Sequence, residues 1–163
     1  MTNSEFTELS KLLTKELDSK TKKSEGVFFT PQTIVNATIE RVKKENVNIK
    51  NILEPSCGSG EFFQVLDSNY TDVNITGIEL NKTIYNKMKD TTLENNELRL
   101  VNQDYLKWNA SQKYDLIVGN PPYFVMKKGE VDERFHDFIE GRPNIFTLFI
   151  IHNIVNKRLY FSS

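Results

Sequence analysis

Apolar side chains recur near the start of the chain at Phe6, Leu9, Leu12, Leu13 and Leu17. That spacing places them on one face of an amphipathic helix. The pattern predicts a helix over residues 4–23, closing on Lys20, Lys22 and Lys23, with Gly26 as the break and "GVFFT" as a short extended stretch. Thr30 followed by Pro31 predicts a helix start, with threonine at the N-cap and proline in the first helical position. Ile34, Val35, Thr38, Ile39 and Val42 carry this second helix to about Asn46. The rhythm then changes. "KNILEP" reads as a buried strand stopped by Pro55, "SCGSG" as a turn and "EFFQVLDS" as a helix. "VNITGIEL" reads as a strand, "NKTIYNKMKDTT" as a helix, "ELRLVNQD" as a third strand and "KYDLIVGN" as a fourth. A charged loop follows Tyr123, then a short helix near Arg134–Glu140, and Pro143 opens a last apolar helix, "NIFTLFIIHNIV".

Short apolar strands alternating with helices predict parallel βαβ units and an α/β fold whose sheet is covered on both faces. The 163 residues suit one domain, and 38% hydrophobic with 26% charged residues fits a globular protein. No apolar run is long enough to span a bilayer. The segment "MTNSEFTELSKLL" lacks a signal-peptide core. The expectation is a cytoplasmic protein without a membrane partner. A single cysteine, Cys57, excludes a disulfide within the chain. His136 and His152 lie far apart and form no metal-ligand pattern, so no metal is expected. The net charge of −1 lacks the positive excess of a dedicated nucleic-acid module. Any nucleic acid would therefore be drawn by a local patch or by other protein.

Candidate chemistry begins at Gly58-Ser59-Gly60, directly after a strand and at the opening of a helix. Glycine lets a cofactor approach the backbone, and a helix N-terminus presents N–H donors. The triplet alone is equally a tight βα turn. Two carboxylates change the balance. Glu79 ends the second strand, about twenty residues on, where an acidic side chain accepts from ribose hydroxyls, and Asp104 ends the third strand. Gln64 stands one turn into the helix, so the third glycine of a dinucleotide fingerprint is missing.

Asn120-Pro121-Pro122-Tyr123 follows the fourth strand. The prolines stiffen this segment and keep the residue before each of them out of helical geometry. The Asn120 side-chain oxygen and the Pro121 carbonyl are thereby held as two acceptors. An exocyclic amine on a heteroaromatic ring is a poor nucleophile, because its lone pair is delocalised. Two acceptors orient that lone pair by positioning and electrostatics rather than by removing a proton. Tyr123 offers a flat face for a base, and a base in a duplex reaches such a pocket only when flipped out.

In their order, "GVFFTPQTIV", "ILEPSCGSGEF", "ITGIEL", "NQDYL" and "DLIVGNPPYF" resemble the γ class of DNA adenine-N6 methyltransferases, over residues 24–151. The resemblance implies a Rossmann-like class I methyltransferase domain using S-adenosyl-L-methionine. It also implies methylation of N6 of a flipped adenine in double-stranded DNA, within a restriction-modification or epigenetic system. It gives Thr30, Glu54, Cys57, Gly58 and Gly60 to the methionine end of the cofactor. Glu79 goes to the ribose, Leu80 to the adenosine, Asp104 beside Tyr105 to the adenine amine, and Phe146 or Phe149 to packing near the cofactor. Asn120, Pro121, Pro122 and Tyr123 take the target base. The family sheet has seven strands in the order 3-2-1-4-5-7-6. Only four strands are found here, so the expectation is the order 3-2-1-4 with the remaining strands missing. Residues 1–23 would form an N-terminal helix and residues 24–163 a partial catalytic domain without a visible target-recognition domain. A separate chain would supply the missing half. Three other readings stay open: a fragment that binds cofactor or a partner without turnover, a release-factor glutamine methyltransferase that shares Asn-Pro-Pro-Tyr, and cytosine N4 as the target. Lys127 and Lys128 would either touch phosphates or be solvated.

Overall fold

The computed structural model describes residues 5–18, 26–45, 47–109 and 112–155. Lys20, Lys22, Lys23, Asn46 and the ending after residue 155 lie outside them. The elements are α1 (Glu8–Glu16), α2 (Gln32–Lys44), β1 (Asn51–Glu54), α3 (Glu61–Asn69), β2 (Asn74–Glu79), α4 (Lys82–Met88), β3 (Glu97–Asn102), β4 (Leu116–Ile117) and α5 (Ile145–Val155). Single 3-10 turns cover Tyr105–Lys107, Lys128–Glu130 and Glu133–Phe138. The strands form one four-stranded sheet in the order β3-β2-β1-β4, all parallel.

Successive side chains on a strand point to opposite faces, and the two cores follow that period. Ile52 of β1 and Ile75 of β2 face one cluster, with Val35 and Ile39 of α2 and Phe62, Phe63 and Leu66 of α3. Leu53 and Ile78 face the other cluster, with Tyr105, Trp108, Tyr114, Leu148 and Phe149. A third, smaller cluster joins Leu13 and Leu17 from the N-terminal region to Ile84 of α4. The sheet is thus covered on both sides.

Several predicted boundaries move. The first helix is shorter, and Leu12 is exposed (43%) whereas Leu13 and Leu17 are buried. The docked face runs through Leu9, Leu13 and Leu17, four residues apart, and Leu12 points away from it. Pro31, with extended ψ 141°, is the N-cap of α2, so the helix starts one residue later than Thr30-Pro31 suggested and Thr30 makes no cap. β3 ends at Asn102, and Asp104 caps the following 3-10 turn by accepting from the Leu106 N–H at 3.0 Å. The fourth strand contracts to Leu116–Ile117, because only these two residues pair with β1. The short helix near Arg134 is a 3-10 segment whose Asp132 cap accepts from the Arg134 N–H.

Close packing of α3 on the sheet depends on Gly77. A Cβ there would sit 2.4 Å from Cζ of the fully buried Phe63 ring and 3.2 Å from Cys57 Sγ. Gly77→Ala is therefore expected to destabilise the chain by about 2–3 kcal/mol through overpacking. Urea unfolding checks this. Adding Phe63→Leu should recover part of the loss, and purely additive losses would contradict the contact.

Candidate active site

All four parallel strands end on one edge, and ligands in open α/β sheets bind there. The loops leaving this edge enclose a cavity of about 270 Å³. Phe28, Phe29, Leu80, Ile84 and Phe149 form apolar walls, and Gly58, Glu79, Asp104 and Asn120 bring polar groups. Of the residues expected at a site, the structure brings Gly58, Glu79, Leu80, Asp104, Tyr105, Asn120, Pro122 and Phe149 to this one cavity. Thr30, Glu54, Cys57, Gly60, Pro121 and Tyr123 are not on its lining.

Glu79 is nearly buried and does two jobs. Its Oε2 accepts from the Gly58 N–H at 2.9 Å, and its Oε1 accepts from the Asn81 N–H at 2.6 Å. The end of β2 is thereby tied to the turn that follows β1. Asn102 donates its side-chain amide to the carbonyls of Glu79 (2.7 Å) and Leu80 (3.1 Å), which shapes the loop carrying Leu80. Leu80 is 60% exposed at the cavity wall.

The two glycines of the turn divide their roles. Gly58 faces the cavity. Gly60 is not on its lining. It stands at φ 75° as the N-cap of α3, and a Cβ would meet Met88 Cε at 2.4 Å and the Phe63 ring at 2.7 Å. Gly60 is needed for the turn and for packing.

Glu54 ends β1 next to Pro55 of the lining and is 2% exposed. Its Oε2 has no hydrogen-bond partner among the described residues. Burial, and then the negative charges of Glu79 and Glu61, hold its carboxyl well above the usual range. Burial also pushes the Cys57 thiol up, with Glu54 and Glu79 adding to it against a backbone hydrogen bond. A buried, protonated thiol is no nucleophile.

The Asn-Pro-Pro-Tyr segment is irregular backbone leaving β4. The Ser56 hydroxyl donates to the Asn120 carbonyl at 3.2 Å and links this loop to the first turn. Gly26, at φ 62°, lies against it: a Cβ would be 3.0 Å from Pro122 Cβ and from the Phe124 ring. The chain after Tyr123 is held by a short antiparallel bridge, Val125 to Asn144, with the Met126 N–H on the Pro143 carbonyl and the Ile145 N–H on the Phe124 carbonyl. Phe146 and Phe149 separate. Phe149 packs on Tyr105 (centroids 5.0 Å) at the cavity, whereas Phe146 stacks on Tyr123 at 5.2 Å and 19° and is not on the cavity lining.

Gly26, Ser56, Asn81 and Asn102 were not among the expected site residues. Asn81 alone carried a sequence signal, an asparagine between a strand and a helix, and it does cap α4 by accepting from the Thr83 and Ile84 N–H groups. His136 and His152 each place Nε2 near a backbone carbonyl, of Val131 and Trp108. Lys127 lies 3.8 Å from Glu130. No helix among the described residues is long and apolar enough to cross a membrane.

Strand order 3-2-1-4, a glycine turn after the central strand, a carboxylate closing the next one and a site on the shared edge define a Rossmann-like α/β fold. The particular family follows from comparison with known proteins: the N-6 DNA Methylase model matches residues 4–158, and the chain belongs to that family. It is 31% identical over 147 residues to the type II methyltransferase M.CvrRI of Paramecium bursaria Chlorella virus XZ-6E, covering 89% of this chain and 36% of that protein. It is 34% identical over 145 residues to the modification methylase CviBIII of Paramecium bursaria Chlorella virus NC1A, covering 88% and 36%. A tRNA1(Val) (adenine(37)-N6)-methyltransferase of Glaesserella parasuis is 30% identical over 80 residues, covering 47% of this chain and 34% of that protein. The chain spans about a third of the length of these curated relatives.

Because the folded state holds a proton on Glu54 that the unfolded state gives up, the contribution of this group to stability is fully present at low pH. That contribution is lost as pH rises from the ordinary carboxylate range through the raised value. Glu54→Gln cannot titrate, so it is expected to gain stability relative to wild type as pH rises. Thermal melts across pH check this, and parallel curves for the two proteins would count against it.

Proposed function

We propose that this chain forms the cofactor pocket and the amine-binding loop of an S-adenosyl-L-methionine-dependent enzyme that methylates N6 of adenine in DNA. The observation that carries the proposal is one cavity lined by Gly58, Glu79, Asp104 and Phe149 together with Asn120 of the Asn-Pro-Pro-Tyr segment. The cavity fits the cofactor by its chemistry. Apolar and aromatic walls suit an adenine ring, Glu79 suits ribose hydroxyls, and Asp104 suits the adenine amine. Glu54, buried with an unpartnered oxygen next to Pro55 and Ser56 of the lining, would meet the methionine end. When bound, the cofactor supplies an electrophilic methyl group.

The remaining work falls to the chain. The Asn120 side-chain oxygen and the Pro121 carbonyl accept from the two N–H groups of the target amine and aim its lone pair into the cavity. Ser56 and Gly26 hold that loop in register with the first turn. Tyr123, 51% exposed and backed by Phe146, keeps one face for the flipped base. DNA is preferred as substrate because the relatives matching most of the chain are modification and type II methyltransferases and the family model is that of a DNA methylase. Cofactor binding without turnover is a second reading, favoured by the chain's covering 36% of those relatives.

Transfer of a labelled methyl group to duplex DNA, with tRNA as the comparison substrate, tests the proposal. Asn120→Ala should lower transfer by roughly 10²-fold or more while cofactor binding persists. Binding of S-adenosylhomocysteine with no transfer to either nucleic acid supports the second reading, and absence of binding rejects both. Phe146→Ala should raise KM for DNA several-fold with a smaller change in kcat, because the Tyr123 ring loses its backing. Equal falls in kcat and kcat/KM would contradict that role.

A further inference from the structure

Glu61 opens α3 directly after the glycine turn and is 3% exposed. A carboxylate in a first turn interacts favourably with the helix dipole while remaining in water. Burial removes the water, so the charge needs donors. No Lys or Arg pairs with it among the described residues' ion pairs. The donors come instead from distant parts of the chain. Its Oε1 accepts from the Thr7 N–H at 3.3 Å, from the Thr7 hydroxyl at 2.9 Å and from the Ser10 hydroxyl. Its Oε2 accepts from the Gln32 side-chain amide. Ser10, 1% exposed, also lies 2.7 Å from the Ser59 hydroxyl, inside the glycine turn.

We infer that Glu61 is a positioning residue that sets the separation of two walls of the cofactor cavity and makes the N-terminal helix part of that site. One wall is Phe28 and Phe29, which lead directly into Gln32 at the start of α2. The other is Ser56 and Gly58, which lead through Ser59 into Glu61. Glu61 joins both: Gln32 anchors the first wall to its carboxylate, and Ser10 bridges the carboxylate to Ser59 of the second. The walls touch where this predicts. A Cβ on Gly58 would lie 3.6 Å from the Phe29 ring. Glu79 holds the Gly58 N–H from the sheet side, and Glu61 holds the same turn from the side of α1. The Gln32 N–H on the Glu5 carbonyl at 2.9 Å adds a backbone tie between the N-terminal segment and α2.

The inference rests on the proposed cofactor site, and the experiment separates the two. S-adenosylhomocysteine is titrated into the full chain, into Glu61→Gln and into the core control Val73→Ala, at a temperature where all are folded. Val73 is buried directly before β2 and is not on the cavity lining. Glutamine keeps one acceptor but turns an NH2 group towards donors, so Glu61→Gln should weaken binding by about tenfold. Val73→Ala should leave affinity near wild type, even with a comparable loss in Tm. Ser59→Ala keeps the carboxylate and removes only the bridge to the turn. It should weaken binding a few-fold, and it decides the matter if Glu61→Gln fails to fold. Unchanged affinity in Glu61→Gln and Ser59→Ala, or an equal loss in Val73→Ala at matched Tm, overturns the inference. If wild type binds no S-adenosylhomocysteine, the proposed function falls. Amide exchange then decides the inference alone: faster exchange over 27–29 and 58–60 in Glu61→Gln upholds it, and no change removes it.

Discussion

In a parallel sheet every strand ends on the same edge, and the loops that leave it lose the ladder that satisfied their backbone groups. The rest of this structure depends on how that edge is answered. Glu79 answers it with one carboxylate shared between the Gly58 and Asn81 N–H groups. Asn102 answers it for the Glu79 and Leu80 carbonyls, and Ser56 for Asn120. Apart from the Asn81 N–H, which lies in the loop that Glu79 opens, each bond joins one loop to another, so satisfying the backbone also fixes the loops against one another. The cavity is the space this mutual bracing leaves. Its polar groups therefore brace the loops and line the cavity at once.

The same edge gathers negative charge. Glu54, Glu61 and Glu79 follow one another around the turn and are all nearly buried. They differ in what meets them. Glu61 receives donors from three residues in two segments, Glu79 receives two backbone N–H groups, and Glu54 has an oxygen with none. Burial without hydrogen bonds disfavours the charged form, and the Glu54 carboxyl is held well above the usual range.

Much of this was legible in the sequence for a physical reason. Period and punctuation follow from local geometry, so "NILEP", "ITGIE" and the turn between β1 and α3 read directly as strand, strand and glycine turn. Proline-fixed backbone made Asn120-Pro121-Pro122-Tyr123 stand out for the same reason. What was hidden is non-local. Nothing near Gly26 says that Pro122 and Phe124 will pack against it from about a hundred residues away. Nothing near Glu61 says that Thr7 and Ser10 will supply its donors. The two phenylalanines of α5 were indistinguishable by pattern, because both sit on a helix that is apolar almost all round, and only the bridge from Val125 to Asn144 decides which faces Tyr123. The length of β4 was overread because an apolar run shows capacity for burial, whereas pairing needs a neighbour in register.

The lone cysteine has a use outside the chemistry of the site. Cys57 sits at the hinge of the glycine turn, 4% exposed, with its N–H on the Ile78 carbonyl and its thiol held protonated. In the folded chain it is sheltered from alkylating reagents, and it becomes reactive when an opening, local or global, uncovers it. The molecule thus carries its own clock: the rate at which this one sulfur is modified counts the openings that expose the end of β1 and its turn.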